Sequence, residues 1–463
     1  MKRFGIAGLL ALLFGYGAQA RPAVDRPNVL LIVADDLGWA DLPSYGNTFH
    51  ETPSLDRLAR EGVRFMQFYS GAVCSPTRSN LQSGRHEARY GITQHIPGHK
   101  RPFAKLIDPA VPLQLPLEVE TVAERLAGAG YATGYFGKWH LGGPGYGPSD
   151  QGWQTVLELK GHDTPASVTG SEAKRTAAFL TEQAVEFIEA HREAPFLVQV
   201  SHYAVHLPLS TRPELLKKYR GKAPMPGFPS RPDYAGLLEE LDESVGGLLA
   251  ALDRLGLAEN TLVVFVSDNG GLVRDQGGKV YTSNAPLRGE KGMLYEGGIR
   301  VPAMARFPGV IPPESVCGVP AGTTDLPPTF LELAGVTVPE GRDRPDGISL
   351  LPVLRDPSAA LPREALFWHL PHYHHSTPAS AVRKDDWKLI EFYEDGTREL
   401  YDLAKDPGES ENLAGVNPDK TTELAGDLAK WREAIGARMP VPNPAYDPAR
   451  AGELAKGGKR SGE

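Results

Sequence analysis

The sequence predicts an α/β protein: a large, mostly parallel central sheet flanked by helices, followed by a smaller C-terminal α+β unit of antiparallel strands and one helix. Three observations predict it. Apolar runs alternate with amphipathic segments along the first three quarters of the chain. The runs Asn28–Val33, Phe196–Ser201 and Thr261–Ser267 are almost uninterrupted, as in strands covered on both faces. Strand-like runs end in chemically active residues: Asp35-Asp36, Lys138 with His140, His202 with His206, and Asp268-Asn269. Open α/β sheets bind ligands at the carboxyl ends of their strands.

The elements follow in order. Lys2 and Arg3, an apolar run Ile6–Phe14 and Ala18-Gln19-Ala20 read as a signal peptide over residues 1–20. No lipobox-like cysteine follows, and no later stretch is apolar enough to span a bilayer. The expectation is an exported protein, periplasmic or secreted, without a membrane anchor. Asn28–Val33 is the first buried strand. Asp35-Asp36 after it is either a ligand site or a solvated turn with a helix cap. Thr52-Pro53 starts a helix with proline at its first position; Leu55, Leu58 and Ala59 form its apolar face. Val63–Phe68 is strand-like and delivers the chain to Cys74, and Ser79–Gly84 reads as the next helix. Thr121–Gly128 is a helix and Tyr131–Phe136 a strand. Lys138 and His140 then occupy alternate positions of an extended segment and point the same way. Ser171 caps a helix running to about His191. Asp233–Leu255 is a long helix whose Leu237, Leu241, Val245, Leu248 and Leu252 form a core stripe.

The character changes after residue 340. Ala381–Arg383, Trp387–Phe392 and Glu399–Leu403 are strand-like, Glu394-Asp395-Gly396 is a hairpin turn, and Thr421–Ile435 is a helix. The expected divisions are 21–344, 345–440 and an extended tail, 441–463, rich in Pro, Gly and Lys. The 463 residues suffice for two such units. A net charge of −8 argues against a nucleic-acid partner.

There are two cysteines, Cys74 and Cys317. Cys317 sits in a plain loop sequence. Cys74 sits in a Pro-Thr-Arg frame, where a thiol serves as nucleophile, metal ligand or packing. Asp35, Asp36, Asp268 and Asn269 offer only hard oxygen ligands, which fits Ca²⁺ or Mg²⁺; separate salt bridges are the alternative. Lys138, His140, His206 and Lys291, with Arg78, make a basic pocket suited to a tetrahedral oxyanion.

These blocks carry a resemblance. Cys74-Ser75-Pro76-Thr77-Arg78, with Ser83-Gly84-Arg85, resembles the signature of the type I, formylglycine-dependent sulfatases within the alkaline-phosphatase-like superfamily. Ala34–Gly38, Thr52–Leu58, Gly137–Gly142, His206–Pro208, Ser267–Gly271, Lys291–Arg300 and the C-terminal stretch Tyr401–Leu413 match further family blocks in order. The resemblance implies a sulfuric ester hydrolase in which a maturation enzyme, a formylglycine-generating or sulfatase-maturating enzyme, oxidises Cys74 to Cα-formylglycine. It implies Asp35, Asp36, Asp268, Asn269 and modified residue 74 as ligands of Ca²⁺, with Mg²⁺ the lesser choice. A gem-diol hydroxyl would attack sulfur, and the second, deprotonated by His140, would expel sulfate from a covalent intermediate. Lys138 would contact sulfate and gem-diol, Arg78 would anchor residue 74, and His206 and Lys291 would bind sulfate and assist the leaving alcohol. Two departures stand out: Gln82-Ser83 where members often have Leu-Thr, and Glu290 beside Lys291.

For substrate, His369-Leu370-Pro371-His372-Tyr373-His374-His375 offers hydrogen bonds to sugar hydroxyls, a transition-metal site or simply a polar loop. Tyr373 and His372 could stack on a sugar ring. His162 and Asp163, in the insert after Trp153, are further candidates, so the substrate-binding set is His162, Asp163, His372 and His374. The expected substrate is a sulfated carbohydrate. The rivals are an aryl sulfatase or phosphonate or phosphate monoester hydrolase of the same superfamily, and a non-catalytic sulfated-glycan-binding protein.

Overall fold

A computed structural model describes residues 26–164, 174–275 and 277–455. The proposed signal peptide and Ser171 lie outside them. The chain forms a nine-stranded sheet from β1 (Asn28–Ala34), β2 (Val63–Tyr69), β3 (Ala132–Gly137), β4 (Thr155–Glu158), β5 (Phe196–Ser201), β6 (Thr261–Ser267), β7 (Arg300–Arg306), β8 (Ser315–Cys317) and β9 (Ala321–Gly322). Its order is β8-β2-β7-β6-β1-β5-β3-β4, with β9 also pairing β2. Only β7 runs against its neighbours; the other pairings are parallel. The sheet is mostly parallel, as the alternation of runs and helices implied.

Both faces are covered, which is why the strands read as continuous apolar runs. Val29, Leu31 and Val33 of β1 pack on one side with Leu81, Leu126 and Phe330. Leu30, Ile32 and Ala34 pack on the other with Leu180, Leu241 and Leu248. The helices on these faces include α1 (Pro53–Arg60), α2 (Cys74–Ser83), α3 (Val122–Gly128), α4 (Thr176–Ala190) and α5 (Pro232–Arg254). Thr121 caps α3 through a reciprocal pair with Glu124.

Register aligns the strand ends. Ala34 pairs with Ser267, Val33 with Ser201, and Gly137 with Ser201. Asp35, Asp268, His202 and Lys138 each follow one of these residues, so they emerge side by side.

Two local expectations need correction. The helix placed at Ser79–Gly84 begins at Cys74, because Pro76 falls within the first turn, where a missing N–H costs nothing. Cys317 lies in β8, opposite Phe65 and fully buried, not in a loop.

After a short helix α6 (Glu296–Ile299) and α7 (Leu326–Leu333), a second sheet forms from β10 (Leu366–Leu370), β11 (Ala379–Lys384), β12 (Trp387–Phe392) and β13 (Arg398–Asp402). It is antiparallel in chain order, with α8 (Pro418–Ala434) packed on one face through Leu424 and Leu428. The other face packs Ala381 and Ile390 against Tyr69 at the end of β2, against Leu294 and against Ile299 of α6. Beyond α8, Val441–Pro442 pairs antiparallel with Leu106–Ile107.

Candidate active site

The first turn of α2 is the site's floor. Val73 is extended, the helix starts at Cys74, and all ten residues of α2 are buried. Arg78, one turn on, shares the face of Cys74. Its guanidinium donates to Asp268 Oδ2 from Nε at 3.0 Å and Nη2 at 2.8 Å, and to the Lys138 carbonyl at 2.6 Å. Thr77 Oγ1 accepts from the Gly71 N–H at 2.8 Å, and Ser75 Oγ donates to the His140 carbonyl at 3.0 Å. The side chains of the Cys74–Arg78 frame therefore tie the helix start to the ends of β3 and β6.

Lys138 and His140 both reach the site, but not by strand alternation. β3 stops at Gly137 with φ 114°, and His140 has φ 62°. That turn brings His140 Nδ1 to 3.2 Å from Cys74 Sγ while Nε2 lies 2.8 Å from the Ile96 carbonyl. A carbonyl only accepts, so Nε2 carries the proton and Nδ1 presents a lone pair to residue 74. Burial and then Lys138 push the His140 pKa down to about 3, so the ring is neutral.

Lys138 Nζ lies 2.5 Å from Asp35 Oδ2, and Lys291 Nζ lies 2.7 Å from Asp36 Oδ1. His206 Nε2 is 3.7 Å from Asp36 Oδ2, and its Nδ1–H donates to the Leu207 carbonyl at 2.7 Å. Burial, then Lys291, lowers the His206 pKa to about 4. Burial alone would raise Asp35 and Asp36. Lys138 dominates the opposing cations at Asp35 and Lys291 at Asp36, and both carboxyls are held below their usual range. Asp268 goes the other way: burial and the charge of Asp35 push it well up despite Arg78. Burial opposes the charge on Lys138, Lys291 and Arg78, but the carboxylates keep all three more firmly protonated than usual.

The donor set fits a hard divalent cation. Asp35 Oδ1 and Asn269 Oδ1 are buried without a hydrogen-bond partner, the kind of oxygen such an ion takes. Asn269 Nδ2 donates to Asp36 Oδ1 at 2.8 Å, which fixes the amide so that Oδ1 is its spare atom. Asp35, Asp36 and His206 offer ligand atoms within 4.8 Å of one another.

The outer candidates divide. His162 is buried with Nε2 2.7 Å from the His206 carbonyl, so it supports the His206 loop. Asp163 points outward and pairs with Arg175 at 2.7 Å. His372 is 1% exposed and bonded to Thr93 Oγ1 at 2.8 Å. Tyr373 is 3% exposed, its hydroxyl between Glu394 and the Leu106 N–H. Neither has a face left for a sugar, which corrects the stacking expectation. Of the His-rich run, His374 comes near the site, beside Lys291-Gly292. Glu290 accepts from the Arg274 N–H at 2.7 Å, and Gln82 bridges Gln199 and Trp153. Sequence reasoning missed His95 and His99, which meet His374; their i, i+4 spacing was the available signal, and only the fold brings them to the distant His-rich run. It also missed Tyr203, whose ring lies 5.3 Å from Lys138 Nζ.

The family profile described as Sulfatase matches residues 27–336, and one described as N-sulphoglucosamine sulphohydrolase, C-terminal, matches residues 289–434. A sulfatase of Formosa agariphila is 33% identical over 91% of each chain. Arylsulfatase A of Homo sapiens is 34% identical over 90% of this chain and 88% of that protein. The crystal structure of Ps i-CgsB in complex with k-i-k-neocarrahexaose superposes with a TM-score of 0.75 at 25% identity, covering 91% of this chain and 95% of that one. Fold, site and matches together define a sulfuric ester hydrolase. The chain belongs to the sulfatase family, and within it to the type I sulfatases.

Proposed function

We propose that this chain is an exported carbohydrate sulfatase that works through Ca²⁺ and a formylglycine made from Cys74 by a formylglycine-generating or sulfatase-maturating enzyme. The observation that carries the mechanism is the fixed tautomer of His140, whose Nδ1 lone pair faces residue 74 at 3.2 Å. Formylglycine, when present, supplies two hydroxyls on one carbon, where the cysteine sulfur now stands in for one of them. His140 takes a proton from residue 74, the task a neutral, buried base with a free Nδ1 can perform. Arg78 holds the start of α2 against Asp268 and so fixes residue 74. Lys138 and Lys291 bind sulfate oxygens and stabilise charge that grows on them in the transition state. His206, whose Nδ1–H is held by the Leu207 carbonyl, would pass a proton from Nε2 to the departing alcohol in its imidazolium form. Asp35, Asp36, Asp268 and Asn269 would hold the cation, which as a hard Lewis acid polarises bound oxygens.

A carbohydrate substrate is supported by the bound neocarrahexaose named for the Ps i-CgsB structure. Export is supported by the charged, apolar and Ala-Gln-Ala pattern of residues 1–20. No helix among the described residues is long and apolar enough to cross a membrane.

Two measurements test the reading. Mass analysis of the tryptic peptide containing residue 74 should find an aldehyde in enzyme co-expressed with a maturase. Turnover of nitrophenyl sulfate, phenyl phosphonate and sulfated oligosaccharides should then favour the sulfated sugar. Phosphonate turnover without sulfate release would replace this reading with the monoester hydrolase; sugar binding over an unmodified thiol would replace it with a binding protein.

A further inference from the structure

A second cluster of ligands stands beside the sulfate pocket, built from side chains the mechanism does not use. His95, His99 and His374 each place one ring nitrogen within 4.8 Å of one from the other two. The ring centroids are 4.5 Å apart for His95–His99, 5.5 Å for His95–His374 and 5.3 Å for His99–His374. With Zn–N bonds of about 2.0–2.1 Å, three imidazoles around one tetrahedral ion have centroids about 5 Å apart. The rings therefore already stand at nearly the spacing that coordination needs.

The surroundings are those of a built site. His374 is 8% exposed, and its Nδ1 is buried with no hydrogen-bond partner. Such an atom calls for a partner that the protein side chains do not provide. His95 Nδ1 lies 2.9 Å from Gln94 Oε1. The amide oxygen only accepts, so His95 is protonated at Nδ1 and keeps Nε2 for a ligand; an outer hydrogen bond of this kind orients a metal-binding ring. Arg101 Nη2 donates to the His374 carbonyl at 2.9 Å and so pins that residue's backbone. Gly292 makes room: a Cβ there would lie 1.9 Å from His374 Nδ1.

The cluster abuts the catalytic machinery on three sides. Ile96, next to His95, receives the His140 Nε2–H, and its own N–H donates to Ser75 Oγ at 3.1 Å. His375, next to His374, places Nδ1 2.7 Å from the Lys291 carbonyl. We propose that His95, His99 and His374 form a three-histidine site for a borderline transition-metal dication, distinct from the carboxylate site, with an open position on the rim of the sulfate pocket. Three imidazoles and no carboxylate select Zn²⁺, Cu²⁺ or Ni²⁺ over Ca²⁺ or Mg²⁺. Neutral ligands leave the full dipositive charge on the ion, so the open position suits an anionic or hydroxyl oxygen. That last role, contact with substrate outside the sulfate group, rests on the sulfatase reading; metal binding does not.

The test uses full-length enzyme stripped of metal, then saturated with Ca²⁺ and titrated with Zn²⁺ by calorimetry, with Co²⁺ as a visible-absorption probe. The expected result is one Zn²⁺ per chain in the presence of excess Ca²⁺, and a tetrahedral-type Co²⁺ spectrum. His99→Ala and His374→Gln should each weaken Zn²⁺ binding at least tenfold and leave Ca²⁺ binding unchanged. Thermal melts of each apo variant separate a lost ligand from a lost fold, and Gly292→Ala, which displaces His374, gives an independent variant. Absence of a saturable Zn²⁺ site, or binding lost in Asp36→Asn but kept in both histidine variants, overturns the proposal. Nitrophenyl sulfate turnover by the Zn²⁺-free, Ca²⁺-loaded enzyme reads the sulfatase mechanism separately.

Discussion

Lys388→Met should destabilise the protein by about 3–5 kcal/mol near pH 7, the usual cost of stripping one partner from a buried ion network. Lys388 on β12 is fully buried, with Nζ 2.9 Å from Glu296 Oε1 and 2.8 Å from Glu409 Oε1. Glu409 Oε2 accepts from the Glu296 N–H at 2.6 Å, and Tyr69 donates to Glu296 Oε2 at 2.8 Å. The substitution leaves two buried carboxylates facing each other without the ammonium. Even with Lys388 present, burial pushes Glu409 up from 4.5 to about 7, against the pull of Lys388 and with the help of Glu296. The sign follows. A carboxyl with a raised folded pKa contributes stability that is complete below its unfolded pKa and is lost as pH rises through the folded one. The wild type finishes that loss near pH 7, where Glu409 ionises. The variant must keep the proton to higher pH, so the gap between the two should widen by about 1.4 kcal/mol per pH unit above pH 7. Urea unfolding followed by tryptophan fluorescence at about pH 7 and pH 8 measures both quantities. A gap under about 1 kcal/mol, or one that stays constant with pH, would refute the reasoning. The outcome bears on function because Glu296 opens α6, five residues past Lys291.

Chelation should abolish sulfate release, and Ca²⁺ should restore it; Asp36→Asn should raise the Ca²⁺ needed at least tenfold, read by calorimetry. His372→Ala should cost about 1–3 kcal/mol of stability, because it leaves buried Thr93 unpaired, with KM unchanged since the ring faces no substrate. Acid should unfold the protein through buried neutral imidazoles. Burial holds His50 at about 4 and His202 and His369 at about 3. These depressed bases contribute stability above the unfolded value of 6.5 that is lost as pH falls toward the folded ones, at roughly 4 kcal/mol per pH unit for the three together. His202→Gln should reduce that slope by about a third in denaturant titrations.

The large sheet was legible because burial on both faces writes itself into sequence as continuous apolar runs, as in Asn28–Ala34 and Thr261–Ser267. The gathering of Asp35, Lys138 and Asp268 was legible for a related reason: parallel register puts the residue after each strand at one edge. What did not show was geometry that depends on non-local contact. His140 reaches Cys74 through a left-handed backbone at residue 140, not through strand alternation. Tyr373 and His372 look like exposed binding groups in sequence, yet Glu394 and Thr93, distant along the chain, bury them. Cys317 in a plain sequence is a strand residue because β2 supplies its partners.

Charge accounts for why these pieces share one place. Arg78, Lys138 and Lys291 match Asp35, Asp36 and Asp268 in number, so the pocket is near neutral with every group ionised. Neutrality does not distribute evenly: burial and the charge of Asp35 push Asp268 up against Arg78 and Lys138, while Asp35 and Asp36 are held down against burial chiefly by Lys138 and Lys291 respectively. A divalent cation among the carboxylates would ease Asp268 and Asp35 at once, and would release Lys138 and Lys291 from the carboxylates to an incoming anion. The same pocket would then carry a net charge of about two positive units, which suits an anionic ester and the extra negative charge of its transition state. Loading the cation should therefore strengthen inorganic sulfate binding. Equal sulfate affinity with and without Ca²⁺ would separate the lysines from the metal and undo this coupling.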